Sequence, residues 1–112
     1  MYKIVNIKKD FPDSEYAIFL MEKEIEFAKK EGINVVVFVH GYGSSGNGGK
    51  IKKEVENRLL KLKKENIIKT FVAGDRWSDT SNDVKLICDV APELSISSQV
   101  RNINSGVTIV LI

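Results

Sequence analysis

The chain has 112 residues, enough for one domain that buries about two-thirds of its surface on folding, and its 43% hydrophobic content is that of a globular protein. A net charge of +2 excludes a polycation, and the longest apolar runs fall far short of a bilayer span. The N-terminal MYKIVNIKK contains no apolar stretch of signal-peptide length, and the single Cys88 cannot form an internal disulfide. The expectation is a cytoplasmic domain with no membrane partner.

In chain order, residues 2–7 alternate and are β-branched enough for a first strand. The Phe11-Pro12-Asp13-Ser14 turn follows, with Asp13 or Ser14 available to cap a helix over residues 15–31. Ala17, Met21, Ile25 and Ala28 form the apolar stripe of that helix, widened by Leu20 and Phe27, and Gly32 stands where a C-cap belongs. The uninterrupted Val35–Val39 run reads as a strand covered on both faces. A second helix starts near Gly49 or Lys50 and presents Ile51, Val55, Leu59 and Leu62 to the core. A third strand is expected over residues 67–73. The mixed, polar residues 74–105 hold a short helix near Asn82–Val90 that stops before Pro92. Residues 107–112 close the chain as a last apolar strand. Strand–helix alternation of this kind implies an α/β layer fold, one domain over residues 1–112, with at least the first two strands parallel.

Between the second strand and the second helix lies the densest chemistry. The only histidine, His40, opens a loop with five glycines in nine residues: Gly41, Gly43, Gly46, Gly48 and Gly49. A strand that passes through a glycine-rich turn into a helix start leaves backbone N–H groups unpaired, at the positive end of the helix dipole. The combination suits an anion. From Lys50 to Glu65 seven basic residues (Lys50, Lys52, Lys53, Arg58, Lys61, Lys63, Lys64) face three glutamates, 7 − 3 = 4 in excess. Such a helix is either a phosphate-facing surface or a solubilising face.

Two literal matches in the loop lack their context. Gly41-Tyr42-Gly43-Ser44-Ser45-Gly46 spells the dinucleotide fingerprint GxGxxG, but it follows the second strand, and Asn66, Ile67 and Ile68 stand where the ribose-holding acid belongs. The near-P-loop from Gly43 to Lys50 carries an extra glycine, and Ile51 replaces the magnesium-binding hydroxyl. No cofactor is expected from either. His40 is either a polar residue bonded to backbone at a strand end or a proton donor or acceptor beside an anion-binding turn. With one histidine and one cysteine, no metal-ligand set is read. Tyr42 and Trp77 could each stack on a nucleobase or simply pack.

His40-Gly41-Tyr42-Gly43, the helix after it and the terminal Gly106-Val107-Thr108-Ile109-Val110 together resemble the small MutS-related (Smr) domain family, which carries HGxG between its second strand and second helix and a final strand similar to GVTIVxL. Gly74-Asp75-Arg76-Trp77 is similar to the end of the third strand in a bacterial, stand-alone branch. The resemblance implies a two-layer α/β sandwich like the C-terminal domain of the third bacterial translation initiation factor, in the order βαβαβ(α)β. It also implies DNA or RNA as the partner, and nicking endonuclease activity as in several family members, with any divalent-ion requirement left open. On that basis His40 is the candidate for proton transfer, and Gly41, Tyr42, Gly43, Gly46, Lys50, Lys53, Arg76 and Lys8 are the candidate nucleic-acid contacts. One departure separates the chain from the family. Where the LDxHG signature belongs it reads Val5-Asn6-Ile7-Lys8-Lys9, so a carboxylate and an imidazole are replaced by Asn6 and Lys8. Binding survives that change more readily than hydrolysis, which leaves a catalytically silent nucleic-acid or protein-interaction module as the alternative.

Overall fold

The computed structural model describes residues 2–7, 14–41, 48–78, 81–95 and 106–112. Four strands form one mixed sheet in the order β1-β2-β4-β3. They are β1 (Tyr2–Asn6), β2 (Val35–Val39), β3 (Thr70–Ala73) and β4 (Val107–Leu111), interleaved with α1 (Ser14–Glu31), α2 (Gly48–Lys64) and α3 (Asn82–Val90). The first two strands are parallel, with Tyr2 opposite Val35. β4 runs antiparallel to both of its neighbours, with Val35 and Thr70 each opposite Leu111. The expected α/β fold, with helices laid on a sheet, is present.

Period-two alternation divides the core. Val36, Phe38 and Val110 face one side and pack with Met21, Ile25 and Ala28 of α1 and with Ile51, Val55 and Leu59 of α2. Both helices therefore bury the stripes their spacing predicts. Val35, Val37, Val107, Ile109 and Leu111 face the other side, where Val84 and Ile87 of α3 meet Ala91 and Leu94. Cover on two faces explains why every residue of β4 is buried.

Helix ends follow their chemistry. Gly32 adopts φ +76°, and Ile33 N–H donates to the Ala28 carbonyl at 2.9 Å while Gly32 N–H donates to Lys29, a Schellman end. α2 stops the same way on Asn66 at φ 61°, with Ile67 N–H bonded to the Leu62 carbonyl at 2.9 Å. That exit consumes residues expected to be strand, so β3 begins at Thr70 rather than at residue 67. Ser81 caps α3, its hydroxyl accepting from Val84 N–H, and the helix ends before Pro92 as expected. Phe27 departs from its expected place. It is 49% exposed on the outer side of α1, as is Phe19 at 53%, whereas Leu20 packs against the core. A helix lying on a sheet buries a narrow stripe, and Phe27 lies outside it.

Phe38→Ala should cost about 3–5 kcal/mol in chemical denaturation, because it opens a cavity in a dense core. Phe27→Ala should stay within about 0.5 kcal/mol of the parent protein. A large loss from the second change would mean that α1 packs its outer face against something.

Candidate functional site

Because β4 runs antiparallel to β2 and β3, its start lies beside their ends, and the parallel β1 ends at the same edge. The ends of the first three strands, Gly106 and the N-terminus of α2 therefore gather at one edge of the sheet. In α/β sheets ligands bind outside the carboxyl ends of the strands.

His40 follows β2 at this edge and is fully buried. Its backbone N–H and that of Gly41 both donate to the Gly106 carbonyl, at 2.9 and 3.0 Å. The ring lies between the Gly41 carbonyl, 3.1 Å from Nδ1, and the Thr108 hydroxyl, 2.8 Å from Nε2. A carbonyl can only accept, so Nδ1 carries the proton and Nε2 accepts from the Thr108 hydroxyl. Burial holds the imidazole below its ordinary pKa, and the Lys52 charge adds to this, against the pull of the Gly41 and Val107 backbone and of Asp75. The ring is therefore neutral near pH 7, with both nitrogens occupied. To act as a base it would have to release Nε2 from Thr108.

Gly41 sits at φ 89°, a conformation that requires glycine, and is buried. Its N–H goes to Gly106 and its carbonyl to the His40 ring. The residue shapes the turn and has no backbone donor left for an anion.

On the α2 side, Lys52 Nζ donates to an Asp75 carboxylate oxygen at 2.7 Å. That bond, helped by the Lys52 and Arg76 charges and opposed by partial burial, keeps the Asp75 carboxyl below its usual range. Asp75 thus neutralises one of the basic residues that the sequence places on α2. Lys53 and Arg76, next to the two members of this pair, are exposed. Trp77 is only 9% exposed and packs with Val72 and Ile87, so it serves the core.

Tyr42, Gly43, Gly46 and Lys8 lie outside the described residues, as does the Lys50 side chain. Of the predicted contacts, Gly41, Lys53 and Arg76 can be placed, and all three lie at the strand-end edge with His40. Two partners were missed from sequence, Thr108 and Asp75. A polar residue inside the apolar GVTIVLI run was the one available signal for Thr108, and nothing in the spacing joins Asp75 to Lys52.

Comparison with known proteins returns no matching family model, no matching curated protein and no matching solved structure.

The buried neutral histidine sets a pH dependence. Above about pH 6.5 the imidazole is uncharged in both folded and unfolded chains; as pH falls through that value the unfolded chain takes up a proton that the buried ring resists, so stability declines. Melting temperatures measured across this window should fall toward acid in the parent protein, and His40→Asn should flatten the slope. An identical slope in both proteins would assign the dependence to other groups. Thr108→Val, which leaves Nε2 unpaired in a closed site, should cost about 1–3 kcal/mol at neutral pH.

Proposed function

We propose that this chain is a nucleic-acid-binding domain of the small MutS-related type, with an architecture like the C-terminal domain of the third bacterial translation initiation factor and a cytoplasmic site of action. The observation that carries the reading is the strand-end edge. There His40 and Gly41, the N-terminus of α2 and the exposed cations Lys53 and Arg76 come together. Phosphate groups along a nucleic-acid backbone suit such a surface, since helix N–H groups and cations both favour negative charge. Among the described residues no helix is long and apolar enough to cross a membrane.

Hydrolysis is the second reading, and one observation favours it: the His40 imidazole is held neutral, the form a general base needs. Against it stand the enclosure of the ring and the replacement of the family's carboxylate and imidazole by Asn6 and Lys8. Binding without cleavage fits these residues better. For hydrolysis, His40 is the candidate for proton transfer.

Binding to single-stranded, duplex and branched DNA and RNA should weaken with salt, and Arg76→Ala and Lys53→Ala should each lower the log–log salt slope by about 1. No affinity at low salt would remove the nucleic-acid reading. In a nicking assay on supercoiled plasmid and structured RNA, the parent protein should shift mobility without cutting. Cutting that disappears in His40→Ala but persists in Arg76→Ala would establish the second reading.

A further inference from the structure

β3 is an edge strand, and the bonding pattern of the sheet fixes which of its groups face outward. Ile112 N–H donates to the Asn34 carbonyl at 2.8 Å and His40 N–H to the Gly106 carbonyl at 2.9 Å. Along β4, Gly106, Thr108 and Val110 therefore bond toward β2. Alternation then turns Val107, Ile109 and Leu111 toward β3, where Ile109 and Leu111 meet Val72 and Thr70. Lys69 N–H, which donates to the Leu111 carbonyl at 2.8 Å, agrees with this. It follows that Phe71 and Ala73 direct their N–H and C=O away from the sheet, and among the described residues β3 has no second strand partner.

Those two residues line a cleft of about 440 Å³ between β3 and the flank of α2 turned away from α1, which Arg76, one of the cations proposed above for nucleic acid, closes at the strand-end edge together with Ser81 and Asp83. Glu56, Leu60 and Lys63 form the α2 wall, and Leu60 is 50% exposed. Their spacing, i, i+4 and i+7, puts them on one helix face. α2 starts at the strand-end edge, where Lys52 reaches Asp75, so it runs antiparallel to β3. Glu56 is thus level with the end of β3 and Lys63 with its beginning.

We propose that a second copy of this chain docks here, pairing β3 with β3 antiparallel about a twofold axis through Val72 and joining two four-stranded sheets into one. The outward groups fit: Phe71 opposes Ala73 of the second copy and the reverse, two hydrogen bonds in each pair. The helix face fits too. A twofold axis reverses α2, so Leu60 meets Leu60 of the second copy, Glu56 meets Lys63 and Lys63 meets Glu56. An acid and a base on either side of a central leucine is the self-complementary pattern that an isologous contact requires. The opposite edge is guarded by comparison. On β1, Lys3 is tied to Glu24 and Glu31 of α1, an ion-paired lysine of the kind that blunts edges.

The test is sedimentation velocity over a concentration series with the full chain. The parent protein should pass from monomer to dimer. Lys63→Glu should weaken the dimer by about tenfold or more, because the twofold repeats the repulsion, and adding Glu56→Lys should restore it. Ala73→Pro supplies a backbone probe: φ at Ala73 is −66°, proline's own value, and its N–H faces outward. That variant should keep the parent melting temperature and remain monomeric. A parent protein that is monomeric at every concentration overturns the proposal, and so does a dimer indifferent to both Lys63→Glu and Ala73→Pro.

Discussion

Strand β4 comes from the far end of the sequence and yet lies between β2 and β3, antiparallel to each. Without it β2 would be an edge, β3 would have no partner, and the apolar faces under α1, α2 and α3 would have no shared floor. The β2–β4 pair is almost wholly buried, and its alternation sends Val36, Phe38 and Val110 to one helical layer and Val35, Val37 and Ile109 to the other. The same insertion brings Gly106 and Thr108 to His40. One non-local pairing thus fixes both the core and the geometry of the candidate site.

Placement of the site follows from strand direction. Parallel pairing of β1 and β2 sends both strand ends to one edge, and the reversal of β4 returns the chain there. α2 then starts where β2 ends, so its N-terminal pole faces the same edge. The charges near this pole are not simply additive. Lys52 is tied to Asp75, and Arg58 on the α1 side is tied to Glu22. The basic excess of four between Lys50 and Glu65 overstates the charge offered to a phosphate, and among the described residues Lys53 and Arg76 are the cations at the edge whose charge is exposed.

What was legible in the sequence is what local periodicity encodes. The stripes of α1 and α2, the doubly covered run Val35–Val39 and the helix Asn82–Val90 stand where pattern and stop signals put them. Boundaries set by turn chemistry were less legible: Asn66 takes the left-handed C-cap and shortens β3 from its expected start. Phe27 misled because apolar character alone does not say how wide a helix stripe is. The order of the sheet was not legible, nor was the contact of His40 with Thr108, 68 residues apart. Such contacts depend on which strands become neighbours, and no window of sequence carries that.

The histidine contact changes what the glycine-rich turn can do. Read as sequence, Gly41 belongs to an anion cradle, because a residue without a Cβ lets its N–H approach a ligand. In the fold its N–H is bonded to Gly106 and its carbonyl to the His40 ring, while Gly106 also takes the His40 N–H. Histidine and glycine together form a buried clamp that joins the end of β2 to the start of β4. The clamp fixes the backbone at His40 and Gly41, where Gly41 takes φ 89°. Neither group of Gly41 is left to meet an anion. His40 and Gly41 therefore have a structural role, tying the end of β2 to the start of β4, that needs no catalytic chemistry at this site.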